Sequence, residues 1–187
     1  PLPFPIPETP APRDSRTVLA VGRLTQAKGF DVLIKAWAKV ARIAPDWKLV
    51  IVGEGEDRGG LEALRAQLGL EACVSLPGAR ADITTAYADG AVFCLSSRYE
   101  GFGLVLIEAM GFGLPIVSTD CEQGPRELLG PDTAVLVPVD NAAQLANALC
   151  KVIQTPETAN RLAMLGRERA RQFDLAHITD QWAALLG

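Results

Sequence analysis

Soft metal ligands are scarce in this chain, which has one histidine, His177, and four cysteines with no Cys-x-x-Cys pair among them. That scarcity argues against a structural or catalytic metal centre of the zinc type. No Asp-x-Asp pair offers an alternative metal-binding signature. No apolar run approaches the ~20 residues of a membrane span, and no secretory signal pattern opens the chain. A surplus of basic charge is also missing: the net charge is −4, with 18 Lys and Arg against 22 Asp and Glu. Nucleic acid and anionic membrane surfaces are therefore poor partners for it. The cysteines, Cys73, Cys94, Cys121 and Cys150, are widely spaced, and two lie in or beside apolar, strand-like stretches. Reduced, mostly buried thiols in a cytoplasmic protein are the expectation.

What the chain does have is enough apolar sequence for a core. At 187 residues, 49% hydrophobic and 21% charged, it reads as a soluble globular domain with one sizeable core, or at most two small ones. Its opening is different in kind. Pro1, Pro3, Pro5, Pro7, Pro10 and Pro12 make residues 1–15 a semi-rigid extended linker. Residues 16–187 form the folded part, and the lack of an initiator Met suggests a linker within a longer chain. Beyond it there is no repeat and no low-complexity tract.

Strand and helix patterns then alternate. Thr17 to Val21, Lys48 to Val52, Val74 to Leu76, Ala91 to Leu95, Pro115 to Ser118 and Ala134 to Val137 read as short apolar strands. Between them, helical patterns are predicted near 31–44, 60–68, 83–88 and 104–112, with a short turn at 124–129. Further helices are predicted near 142–154, 156–172 and 175–186. Repeated β-α units with short loops predict an α/β fold, a Rossmann-like doubly wound parallel sheet of about six strands with helices on both faces. Ligands in such a sheet sit at the carboxyl ends of the strands. The loops after Val21, Val52, Leu76, Leu95 and Ser118 should thus share one crevice.

Four of those loops carry chemistry. The first, Gly22 to Phe30, sets Arg23 and Lys28 before a helix, where cations are unfavourable unless an anion joins them. A planar fork and a point charge together suit a diphosphate. The second, Gly53-Glu54-Gly55-Glu56-Asp57, imitates a dinucleotide turn, but its three acidic residues would repel a pyrophosphate, which disfavours a nicotinamide or flavin site. An NAD-binding oxidoreductase domain is the weaker alternative. The third, Pro77-Gly78-Ala79-Arg80, is small and open, fitting either a flat base or an ordinary turn.

The fourth loop runs Ser96-Ser97-Arg98-Tyr99-Glu100-Gly101-Phe102-Gly103-Leu104-Val105-Leu106-Ile107-Glu108. Two carboxylates bracket a Gly-Phe-Gly turn that leads into a helix. The turn leaves amides uncovered at a helix N-terminus, which favours a phosphate. The carboxylates are better placed to hold neutral hydroxyls beside it. Glu108 lies in a segment apolar nearly all round, and a buried carboxylate needs partners. A glycosidase pair is a secondary reading.

These residues together resemble the C-terminal, donor-binding domain of GT-B-fold, family 4 retaining glycosyltransferases. The likeness covers Gly22-Arg23-Leu24 … Lys28-Gly29, Gly53-x-Gly55, Gly78, the Glu-x7-Glu pair Glu100 and Glu108, and the run Glu108 to Val117. The resemblance implies a domain that binds a nucleotide-diphosphate sugar, with transfer to a hydroxyl acceptor in glycan, lipopolysaccharide or capsule-type biosynthesis. It implies catalytic roles for Glu100, Arg23 and Lys28, with Arg23 and Lys28 on the diphosphate. Gly22 and Gly53 line the donor site, Glu108 holds the ribose and Glu100 the donor sugar. The amides of Phe102, Gly103, Leu104 and Val105 cradle sugar and phosphate, and Gly78, Ala79 and Arg80 lie by the base. The stretch Asp120 to Leu128 is similar to enzymes that use UDP-hexoses or UDP-N-acetylhexosamines. No cofactor and no metal are expected. In relatives an N-terminal Rossmann-like domain supplies the acceptor site, and nothing in this chain replaces it. The chain alone is therefore expected to bind without turnover, and the full-length protein to be peripheral at the cytoplasmic membrane face. Ile178, Trp182 and Leu185 on the last helix are expected to be more exposed than in the parent.

Overall fold

The structure, a computed structural model, describes residues 6–12, 14–122, 124–130 and 132–173. The expected last helix, with Ile178, Trp182 and Leu185, lies outside the described residues.

Short runs of branched residues make the strands, and their alternation explains why both faces of the sheet are covered. In β1 (Thr17–Val21), Val18 and Ala20 point into one core and Leu19 into the other. In β4 (Val92–Leu95), Val92 and Cys94 share the first core, Phe93 and Leu95 the second. A strand apolar on both faces must be sandwiched between helices. The remaining strands are β2 (Lys48–Val52), β3 (Val74–Gly78), β5 (Ile116–Thr119) and β6 (Ala134–Val137). All pair in parallel, in the order β3-β2-β1-β4-β5-β6, so the predicted α/β architecture of six strands is found.

On one face lie α1 (Phe30–Ile43), α2 (Arg58–Gln67) and α6 (Ala142–Gln154), contributing Leu33, Trp37, Leu61, Leu145 and Leu149. On the other lie α3 (Thr84–Ala88), α4 (Leu104–Gly111) and α5 (Pro125–Leu129) with Tyr87, Leu106, Ile107 and Leu128. The helix α7 (Pro156–Arg171) packs on both α6 and α4. Its start is set by Pro156 at the first turn, where no amide is needed. The Asn141 side chain caps α6 by accepting from the Gln144 amide at 2.9 Å.

Two boundaries differ from the sequence pattern for physical reasons. The strand β3 continues through Pro77, which a sheet interior would reject. It is an edge strand, so a missing N–H is tolerated there. A 3₁₀ turn at Gln26–Lys28 precedes α1, and the pattern gave no sign of it. The proline-rich opening has no helix or strand over residues 6–12, yet it is stitched to the domain. The Ala11 amide donates to the Phe112 carbonyl at 2.8 Å, and the Arg167 guanidinium to the Pro7 and Glu8 carbonyls. A cavity of about 720 Å³ opens between this segment and α7, at the amino ends of the strands.

Candidate functional site

The strand order reverses between β1 and β4, which places a crevice at their carboxyl ends. Backbone hydrogen bonds continue past the strand ends and tie the neighbouring loops together. The Gly22 amide donates to Val52, Leu24 to Glu54, Gly53 to Gly78, and Arg98 to Ala27, at 2.8–3.0 Å. Tyr99 and Glu122 form a further parallel bridge. The five loops thus form one connected rim, as the topology requires.

Glycine permits the closest of these approaches. A Cβ at Gly53 would stand 1.8 Å from the Gly22 carbonyl oxygen, and one at Gly55 would stand 2.3 Å from that of Leu24. The Gly53-x-Gly55 spacing is therefore explained by loop-on-loop packing, without a dinucleotide. It also follows the second strand, whereas a dinucleotide turn follows the first. The acidic character of this loop is reduced as well. The Arg58 guanidinium grips Glu54 through two bonds of 2.7 and 2.8 Å and Glu62 through one of 2.8 Å, and it also reaches the Leu76 and Gly53 carbonyls. Of the three expected repulsive carboxylates, Glu54 is neutralised.

At the reversal point, Lys28 from the first loop meets Glu100 from the fourth. Lys28 Nζ lies 2.7 Å from Glu100 Oε1, and the Ser97 hydroxyl donates to the same oxygen at 2.6 Å. Ser97 is held in turn: its carbonyl accepts from the Thr119 hydroxyl at 2.6 Å. Glu100 is 5% exposed. A carboxylate so buried is stabilised only by such partners. Its Oε2 accepts no hydrogen bond from the described residues.

The second carboxylate has a parallel arrangement. Glu108, one turn into α4, is buried, and Glu108 Oε2 accepts from the Tyr87 hydroxyl at 2.6 Å. Burial first, and then Glu108, push the Tyr87 pKa well above the usual tyrosine range, so the phenol keeps its proton and donates. Each of the two carboxylates thus has one oxygen engaged by the protein.

Between them, Gly103 at φ +77° turns the chain into α4. The Gly103, Leu104 and Val105 amides find no backbone acceptor among the described residues, and the first turn of α4 carries no acidic residue. This end of the helix is open to an anion. Phe102 and Leu104 are exposed on its lip. Of the three expected catalytic residues, Lys28 and Glu100 are in direct contact, while Arg23, on the same loop as Lys28, is exposed to solvent. A Cβ at Gly22 would sit 3.5 Å from the Lys28 side chain. Gly78 is buried against Glu54, while Ala79 and Arg80 are exposed at the rim.

Sequence reading missed Tyr87, Ser97 and Thr119. Ser97 lies in the fourth loop, where nothing in the pattern distinguishes it from Ser96. Tyr87 sits in a five-residue helix whose pattern announces only packing. In the fifth loop Arg126 pairs with Asp120, holding that carboxyl below its usual range. Burial first, and then the Glu100 charge, raise the Cys121 thiol. All four cysteines are free.

A charged clasp fixes the fourth loop to α1. The Arg98 guanidinium bonds both Asp31 oxygens at 2.9 and 3.1 Å, Asp140 at 2.6 Å and the Gln26 carbonyl at 2.7 Å. Burial pushes the Asp31 pKa up, but Arg98 and Lys35 outweigh it and hold it below the ordinary value. A depressed carboxyl contributes stability above its unfolded pKa, about 3.9, and loses it as the pH falls through the folded value. Asp31→Asn is therefore expected to melt below wild type at neutral pH, with the gap closing in acid. Thermal melts from pH 7 down to strongly acidic buffer test this, and a constant gap would refute it.

No helix among the described residues is long and apolar enough to cross a membrane. The family model of glycosyl transferases group 1 matches residues 5–169. A glycosyltransferase of Haemophilus influenzae is 34% identical over 174 residues, covering 92% of this chain and 49% of the relative. The amylovoran biosynthesis glycosyltransferase AmsD of Erwinia amylovora is 32% identical, covering 93% and 49%. Among solved structures, HepE from Anabaena in complex with UDP superposes with a TM-score of 0.82 at 29% identity, covering 91% of this chain and 48% of that one. The chain thus spans about half the length of the curated relatives it matches. The match over most of its length shows that the chain belongs to the glycosyl transferases group 1 family.

Proposed function

We propose that this chain is the donor-binding half of a retaining, family 4 glycosyltransferase with a GT-B fold. It binds a nucleotide-diphosphate sugar, with a UDP-hexose or UDP-N-acetylhexosamine favoured, for transfer to a hydroxyl acceptor. The observation that carries the reading is the α4 N-terminus: open amides flanked in the chain by two buried carboxylates, each held by one oxygen and the first of them paired with Lys28. The amides, Lys28 and Arg23 meet the diphosphate and the negative charge that grows on it as the anomeric bond breaks. Glu100 orients the sugar, Glu108 holds the ribose, and Gly78, Ala79 and Arg80 lie by the base. UDP in the HepE structure supports the choice of nucleotide. AmsD, named for amylovoran biosynthesis, and the lipopolysaccharide core biosynthesis glycosyltransferase LpsE of Rhizobium meliloti, 34% identical, support a role in polysaccharide or lipopolysaccharide assembly. The free thiols fit a cytoplasmic setting.

The acceptor site belongs to a second domain N-terminal to this one in the whole protein, so the chain by itself binds donor without turnover. Fixed cations serve the leaving diphosphate, and the full-length enzyme is expected to keep its activity in EDTA. Calorimetry with UDP and GDP tests the binding step. UDP binds wild type, and Glu108→Ala weakens it by about tenfold or more, the size of a hydrogen bond to a charged group. Failure to bind either nucleotide overturns the reading.

A further inference from the structure

Tyr87 and Glu108 are paired where packing alone gives no reason for a pair. Tyr87 is fully buried in α3, its ring stacked on Phe112 at 5.4 Å and tilted against Phe93 at 6.0 Å. Phenylalanine fills nearly the same volume there. A buried hydroxyl and a buried carboxylate each carry a desolvation cost, which their mutual bond offsets at best. An apolar pair would avoid that cost.

The bond does, however, settle the direction of the carboxylate. A glutamate side chain has several rotamers, and fixing it on ligand arrival would weaken binding. The rings of Phe93 and Phe112 hold the phenol, and the phenol holds Glu108 Oε2 at 2.6 Å. The ring contacts lie in the core, so the carboxylate is set before any nucleotide enters. With Oε2 occupied, Oε1 is left as an acceptor with no donor among the described residues. Such an acceptor suits a ligand hydroxyl. A ligand without that hydroxyl leaves a nearly buried charged oxygen unpaired, the situation in which polar sites discriminate most strongly.

We infer that Tyr87 is a positioning residue whose buried hydroxyl pre-sets the Glu108 carboxylate, so that the site selects a ribonucleotide over its deoxy analogues. This rests on the reading of Glu108 as the ribose holder. Burial and the adjacent charge keep the phenol protonated at neutral pH, so the arrangement holds under working conditions.

The test is calorimetric titration of the 187-residue chain with UDP, 2′-deoxy-UDP and 3′-deoxy-UDP. Wild type, Tyr87→Phe, Glu108→Ala and the double variant are compared, each checked by thermal melting. Wild type prefers UDP over at least one analogue. Tyr87→Phe cuts that preference about tenfold by weakening UDP while leaving the analogue nearly unchanged. Glu108→Ala removes the preference, and adding Tyr87→Phe changes nothing further. A Tyr87→Phe variant that keeps the preference, or that weakens all three nucleotides equally, overturns the positioning role. A wild type that binds UDP without preference overturns the ribose reading itself. Should Tyr87→Phe fail to fold, Glu108→Asp draws the carboxylate away from the hydroxyl and leaves the ring in place. It must lose the preference too, and retention would overturn the inference.

Discussion

Lys28→Ala is expected to lower the stability of the chain by about 3 kcal/mol, the scale for removing one partner of a buried ion pair, and to abolish measurable UDP binding. Glu100 is 5% exposed and receives its two bonds on one oxygen, from Lys28 at 2.7 Å and Ser97 at 2.6 Å. Without the ammonium, the Ser97 hydroxyl is the remaining hydrogen-bond donor among the described residues for a charge that water barely reaches. The carboxylate is then left short of partners and must turn outwards to water, which disturbs the loop that leads into α4. The charge on Glu100, more than any apolar contact of Lys28, is what makes the substitution costly. The double variant Lys28→Ala with Glu100→Gln should consequently recover much of the lost stability, because the orphaned charge is gone. It should not recover UDP binding if, as proposed, Lys28 is the cation that meets the diphosphate. Chemical denaturation of the three proteins, with calorimetry on each, separates the two effects. A single variant as stable as wild type would show that Glu100 needs no cation in the folded state.

The pair also marks where sequence reading stops. The strands were legible because branched residues in continuous runs leave few other structures open to them, and β1 and β4 show both faces buried accordingly. The loops were legible as a set, since parallel strands must present their carboxyl ends together. Glu108 was legible as a carboxylate in need of a partner, because every neighbour in its helix is apolar. Which partner it has was not. Tyr87 is 21 residues away, and no period connects a phenol in a five-residue helix to a carboxylate in another. Lys28 and Glu100 are 72 residues apart. Each reads in the sequence as a candidate group for a ligand, but their contact depends on β1 and β4 being neighbours, which sequence order does not state. The glycines of the second loop show the same gap from the other side. Their spacing imitates a nucleotide turn, while their cause is the carbonyl of a neighbouring loop.

Gly29→Ala should be nearly as damaging as the loss of Lys28, for a reason that involves no charge. Gly29 has φ +61°, closing the 3₁₀ turn and opening α1, a backbone state that costs an L-residue roughly 1–2 kcal/mol. A Cβ there would also stand 2.1 Å from the Ser96 carbonyl oxygen. That oxygen is backbone and has no rotamer to escape into, so the first and fourth loops must separate, adding an overpacking cost of about 1–3 kcal/mol. The same two loops carry Lys28 and Glu100, and the Ser96 hydroxyl reaches the Lys28 carbonyl at 2.8 Å. A shift that relieves the clash therefore lengthens the ion pair. Stability is expected to fall by about 3 kcal/mol in sum, and UDP affinity to fall with it. Gly60→Ala is the matched comparison. Gly60 lies in α2 with open space around it, and alanine there should raise stability by about 0.5–1 kcal/mol and leave UDP binding alone. If the two glycines respond alike in denaturation, close approach of the loops is not what Gly29 provides. If Gly29→Ala loses stability but binds UDP like wild type, the first and fourth loops do not have to meet for the donor to bind, and the site must be assembled some other way.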